Sequence, residues 1–172
     1  MFEGSESVSN VPPSVGTTII VIMKTKLAVI LMSVLGLAGM SSVALAGTTI
    51  ELSANDTMQF DSKAFEVPAG EEITLVFTNK GALPKAAMGH NVVILKPGSD
   101  VMGFGAGAVA AAATEYVPQS GPLAEQVVAY TKLLGPGEAD TIKFKLDAPG
   151  EYTFICSFPG HYALMKGVIT AK

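Results

Sequence analysis

The sequence predicts an all-β domain, an antiparallel sandwich or barrel of about seven or eight short strands with one short helical insertion. Three observations predict it. Beyond Gly47 the apolar residues fall in short runs, several with strict alternation; the runs end at Gly, Pro, Asn or Asp clusters; and a single Ala/Gly-rich stretch breaks this rhythm. With 49% apolar residues in a chain of 172, one core can form without covalent staples.

Thr49-Ile50-Glu51-Leu52-Ser53 alternates and stops at Ala54-Asn55-Asp56. Glu72 to Phe77 follows the turn signal Pro68-Ala69-Gly70, and Asn91 to Leu95 ends at Lys96-Pro97-Gly98. Thr141 to Leu146 alternates, Pro149-Gly150 turns the chain, Glu151 to Cys156 forms the next strand, and Gly167 to Ala171 the last. Between Val101 and Gln126 the pattern is lost. Alanine is the best helix former, so a helix is expected over Ala108 to Tyr116.

The N-terminal quarter has another character. Met23-Lys24-Thr25-Lys26 is a short positive region, Leu27 to Met40 is uncharged and apolar, and Ala44-Leu45-Ala46 offers the small residues of a cleavage site. Residues 23–46 are therefore expected to be a signal peptide and 47–172 the mature domain. Residues 1–22, acidic and then Pro/Ser-rich, fit no signal peptide and suggest a start at Met23. Leu27 to Ala46 is also just long enough to span a bilayer, so an uncleaved anchor is the competing expectation. Both imply export.

Composition excludes one class of partner. The formal charge is −4, with 9 lysines against 13 acidic residues from Gly47 onward, so nothing supplies the basic footprint of a nucleic-acid binder. Cys156 is the only cysteine, which excludes an internal disulfide, and His90 and His161 are the only histidines. Cys156, His161 and Met165 lie in one short segment, Cys156-Ser-Phe-Pro-Gly-His161-Tyr-Ala-Leu-Met165. A thiolate, two imidazoles and a thioether form the donor set of an electron-transfer copper site, trigonal through His90, Cys156 and His161 with Met165 as the weak axial contact. Strand geometry supports the convergence: Tyr152, Phe154 and Cys156 share one face, so the sulfur caps an apolar column. Pro159 and Gly160 keep the following loop short, which turns His161 back towards the sulfur.

The stretches Ala54-Asn55-Asp56-Thr57-Met58-Gln59-Phe60, Leu83-Pro84-Lys85-Ala86-Ala87-Met88-Gly89-His90-Asn91, Tyr130-Thr131-Lys132-Leu133 and Cys156 to Gly167 extend the match over the whole mature region. In these the chain resembles the azurins, within the cupredoxin family of blue copper proteins. The resemblance implies a cupredoxin-like Greek-key sandwich and one type 1 copper ion. It also implies a further axial ligand, the Gly89 carbonyl, opposite Met165. It implies a periplasmic monomer that passes single electrons between redox proteins such as c-type cytochromes or a copper- or haem-containing reductase, and no enzyme. The matching docking patch comprises Met58, Leu83, Ala87, Met88, Phe158 and Gly160, all apolar or glycine. Around the ligands, Asn91 is expected to bond the loop after Cys156, with backbone N–H groups near Phe158 reaching the sulfur and Phe158 and Pro159 excluding water. Electrons are expected to leave through an exposed edge of His161.

Two departures from the family pattern stand out: the usual disulfide is missing, and no histidine accompanies the two ligands, with Asn79 and Tyr130 at the places where extra ones are expected. Two other readings of the same residues exist. One is an enzyme with Cys156 as nucleophile and a histidine as base. The other is a copper- or zinc-holding or metal-chaperone module, membrane-anchored if the leader is kept. With no non-ligand histidine, the reduction potential should be nearly flat from about pH 5 to 8, apart from protonation of a reduced His161 ligand. A steep slope in a potential-versus-pH titration, with His161 still bound, would contradict this.

Overall fold

A computed structural model describes residues 47–172, so the expectations for 1–22 and 23–46 lie outside the described residues. The strands are β1 (Thr48–Asn55), β2 (Gln59–Phe60), β3 (Ala64–Val67), β4 (Glu72–Asn79), β5 (Val93–Leu95), β6 (Val127–Tyr130), β7 (Ala139–Lys145), β8 (Gly150–Ile155) and β9 (Lys166–Ala171). Helix α1 (Lys85–Met88) precedes β5; α2 (Val101–Ala108), a 3-10 turn (Val109–Thr114) and α3 (Gly121–Ala124) lie between β5 and β6. One sheet runs β2-β1-β4-β7 and the other β3-β9-β8-β5-β6.

The sheets are not purely antiparallel. β1 pairs parallel to β4, from Thr48↔Ile73 to Ala54↔Asn79, and β3 parallel to β9. A parallel pair needs a long crossover, so no local turn signal announces it. The seven-residue β1/β4 ladder anchors the start of the domain. β2, β3 and β6 are too short for alternation to identify them.

Alternation supplies the core. Ile50, Leu52, Ile73, Leu75 and Phe77 from one sheet meet Ile94, Tyr152, Phe154, Cys156 and Ile169 from the other. Phe60 joins the layers, with ring centroids 6.0 Å from Phe77 and 5.3 Å from Phe154. The expected column of Tyr152, Phe154 and Cys156 is buried as one face.

The outer face of β5 and β8 is covered as well. Val93, Leu95 and Ile155 pack with Phe104, Ala108 and Val117 in a second cluster. This double burial explains why β5 is a continuous apolar run.

The helical insertion is present, but its α-helical part begins earlier than alanine content suggests. Asp100 caps α2, its carboxylate accepting from the N–H groups of Met102 (3.2 Å) and Gly103 (3.0 Å). The Ala-rich stretch after it forms the 3-10 turn and ends with Glu115 in the left-handed region. Packing overrides propensity here. A Cβ at Gly105 would lie 2.2 Å from the Tyr162 ring, and one at Gly107 2.5 Å from Leu123, so the glycines let the α2 backbone lie flat on its neighbours. Ala110, Ala112 and Ala113 are exposed and bury no face that would prolong the helix.

Replacing Gly105 with alanine should lower the stability of the metal-free protein by about 1–3 kcal/mol, through overpacking against Tyr162. Denaturant unfolding measures it, and an unchanged midpoint would mean that α2 lifts off its seat without cost.

Candidate metal centre

Strand register brings the donors together. β5 pairs with β8 through Val93↔Ile155 and Ile94↔Phe154, so the residues before β5 lie beside those after β8. His90 is held there by a bridge to Leu134, its N–H donating to the Leu134 carbonyl (3.1 Å) and its carbonyl accepting from the Leu134 N–H (2.7 Å). Cys156 continues β8, and its N–H donates to the Met165 carbonyl (3.0 Å) at the start of β9, which closes the intervening loop. Inside that loop the His161 N–H donates to Phe158 (3.0 Å) and the Met165 N–H to His161 (2.8 Å). Gly160 turns the chain at φ +83.

The Cys156 sulfur lies 3.6 Å from His161 Nδ1, 3.9 Å from His90 Nδ1 and 4.0 Å from the Gly89 carbonyl oxygen. Sulfur and imidazole donors all fall within 4.8 Å of one another. Cys156, His90, His161 and Met165 are buried, His161 being 3% exposed. The Nε2 of His90 is 3.1 Å from the Asn55 carbonyl oxygen. A carbonyl only accepts, so Nε2 carries the proton and Nδ1 keeps its lone pair towards the sulfur.

Electrostatics prepare the same atoms. Burial pushes the Cys156 thiol up to about 12, opposed by the backbone N–H groups of Asn91 and Phe158. Burial, followed by the neighbouring His90, holds His161 down to about 4. His90 is lowered by burial, against the pull of the Asn55 carbonyl and Asp56. Both imidazoles are thus neutral near pH 7 and able to donate, while the thiol waits for a cation to displace its proton. Soft sulfur and imidazole nitrogen without a carboxylate suit copper or zinc, and not magnesium or calcium.

Asn91 bonds the segment after His90 to the segment after Cys156. Its Oδ1 accepts from the Ser157 N–H (2.8 Å), and its Nδ2 donates to Ser157 Oγ (2.9 Å) and to the Glu115 carbonyl (3.3 Å). Phe158 is buried, 4.7 Å from the His161 ring and 5.3 Å from Tyr116, so it stands behind the surface patch to which it was assigned. Pro159 is half-buried beside it. Leu83 (45%), Ala87 and Gly160 are exposed, and Met58 and Met88 are half-buried. His161 presents far less surface than a ligand on an outer loop suggests, because Phe158 packs against it. Leu164, 58% exposed in the same loop, went unnoticed in the sequence.

Asn79 is buried, donating to the Leu134 carbonyl (3.0 Å) and accepting from the Gly81 N–H (2.8 Å). Tyr130 is exposed and donates to Gln119 (3.3 Å). Asn55, Leu134 and Glu115 also support the centre, and sequence reasoning missed them. Asn55 and Leu134 act through backbone atoms, which leave no mark on residue type.

The chain belongs to the plastocyanin/azurin family of copper binding proteins, whose model matches residues 46–172. It is 40% identical over 124 residues to an azurin of Alcaligenes faecalis, covering 70% of this chain and 94% of that protein. It is 46% identical over 123 residues to the outer membrane protein H.8 of Neisseria meningitidis serogroup B, covering 69% of this chain and 64% of that one. Among solved structures it is similar to dithionite-reduced auracyanin from the photosynthetic bacterium Roseiflexus castenholzii, at 39% identity and a TM-score of 0.65, covering 74% of this chain and 98% of that one. The fold is cupredoxin-like, and the cofactor is one type 1 copper ion.

Because Cys156 has no exposed surface, the metal-free native protein should react with a thiol-alkylating reagent at least about a hundredfold more slowly than the same protein in denaturant. Equal rates, followed by mass spectrometry, would show the pocket to be open.

Proposed function

We propose that His90, Cys156 and His161, with Met165 and the Gly89 carbonyl, would hold the copper ion, and that the protein is a one-electron carrier. The observation that carries this reading is the meeting of three buried residues, with both imidazole Nδ1 atoms at 3.6 and 3.9 Å from the Cys156 sulfur. Copper bound there supplies a Cu(II)/Cu(I) couple. The chain's part is rigidity and dryness. Leu134 fixes the His90 backbone and Asn55 its ring, Met165 and the Asn91–Ser157 bonds fix Cys156, and Phe158 with Tyr116 screens His161 from water. Donors already held in place need little rearrangement between oxidation states, which keeps electron transfer fast.

Exchange with a partner would take place over the apolar residues Met58, Leu83, Ala87, Met88 and Gly160, joined by Leu164 and backed by Phe158. Redox encounters use small interfaces, below about 1,200 Å², which suits quick release. A c-type cytochrome or a copper- or haem-containing reductase fits this role. Residues 23–46 act as an export leader, cut after Ala46, and the domain works in the periplasm as a monomer.

Nucleophilic catalysis by Cys156 fits poorly. Its thiol is buried and held protonated, so it is neither reachable by a substrate nor a ready nucleophile. Absorption spectroscopy of the copper(II) protein tests the proposal: an intense thiolate-to-copper band is expected, lost in Cys156→Ser. Survival of the band in the variant overturns the ligand set. A colourless protein isolated with tightly held zinc, lacking a reversible one-electron couple, supports the metal-holding reading instead.

A further inference from the structure

Glu115 ends the 3-10 turn of the helical insertion, and its backbone is unusual. It lies in the left-handed region at φ 56, ψ 36, and Tyr116 follows at φ 64. Glycine or asparagine normally takes such a position at the end of a helix. A glutamate there needs a reason, and its contacts give one.

One carboxylate oxygen of Glu115 accepts from the Leu133 N–H at 2.9 Å, the other from Lys85 Nζ at 2.9 Å, and the backbone carbonyl accepts from Asn91 Nδ2 at 3.3 Å. Each partner leads to a different part of the centre. Leu133 is buried, with its side chain 3.0 Å from where a Cβ on Gly89 would lie, and it precedes Leu134, the bridge partner of His90. Lys85 begins α1, the turn that delivers Gly89 and His90. Asn91 passes the connection to Ser157, next to Cys156. Tyr116, oriented by the same corner, packs edge-on against Phe158 and so supports His161.

We propose that Glu115 is a positioning residue for the copper centre: its carboxylate, reaching from the left-handed corner to the Leu133 N–H, clamps the helical insertion onto the segments that carry the ligands. The half-exposed Lys85 contributes little, because a solvated ion pair is weak. The bond to Leu133 contributes more, because it belongs to a buried residue and holds that backbone in place at 2.9 Å. Reach therefore matters more than charge. Glutamine keeps an oxygen at the right distance without the charge, whereas aspartate keeps the charge and withdraws the oxygen.

The inference rests on the proposed ligand set, and the experiment separates the two. Copper release to a chelator is measured for the wild type, Glu115→Ala, Glu115→Asp, Glu115→Gln and the remote control Glu72→Gln, which breaks the exposed Glu72–Lys143 pair. Hydrogen exchange at the Leu133 amide is followed in the metal-free forms. Glu115→Ala and Glu115→Asp should release copper about 10- to 100-fold faster, as expected when support behind a ligand is removed, and should expose the Leu133 amide to exchange. Glu115→Gln and Glu72→Gln should stay near the wild type in both measurements. Should Glu115→Ala not fold, the contrast between aspartate and glutamine decides. Any other ranking, above all Glu115→Asp matching the wild type or Glu115→Gln failing to rescue, overturns the proposal. Absence of the thiolate-to-copper band in the wild type, or its survival in Cys156→Ser, sinks the ligand set instead.

Discussion

The position of β8 between β5 and β9 is the constraint on which the centre depends. One register sets Cys156 beside the segment of His90, and the other closes the loop that carries His161 and Met165. A slip of one residue along β8 would turn Tyr152, Phe154 and Cys156 away from the core and put the thiol on the outer face. The register is secured by burial on both sides of the strand, by the main core on one and the α2 cluster on the other. The stability of the sandwich and the geometry of the donors therefore have a common cause.

A dry pocket for a thiol and two imidazoles raises a second demand, that every polar group around it be satisfied from within. Backbone atoms meet most of it. Asn55 and Leu134 serve His90, Met165 serves Cys156, and Asn91 spans the gap between the two ligand segments with both ends of its amide. The insertion, whose alanines look bland, takes part through Glu115 and Tyr116. It is a second wall of the centre as well as a cover for the outer sheet face.

Much of this was legible in the sequence, for reasons that vary with the residue. The spacing of Cys156, His161 and Met165 is local, so the loop could be seen directly. β1, β4, β7, β8 and β9 announce themselves by alternation, and β5 by its turn-bounded apolar run. The parallel pairings were not legible, because register between distant segments has no local signature. α2 was missed because its glycines oppose helix formation, and the contacts with Tyr162 and Leu123 that require them arise only in the folded chain. The patch residues were identified by type, but which of them reach solvent depends on packing, and Phe158 lies inside while Leu164 lies outside.

The pairing of β3 with β9 joins an early segment of the domain to its last strand, and β9 also fastens the loop of Cys156, His161 and Met165. Such distant contacts make folding slow, since long loops must close before any contact repays them. Because β9 lies between β3 and β8, the second sheet is complete only when segments far apart in the chain have paired. The strand that closes the sheet also fastens the loop of Cys156, His161 and Met165, so the donors are brought together by the same pairing that is hardest to reach.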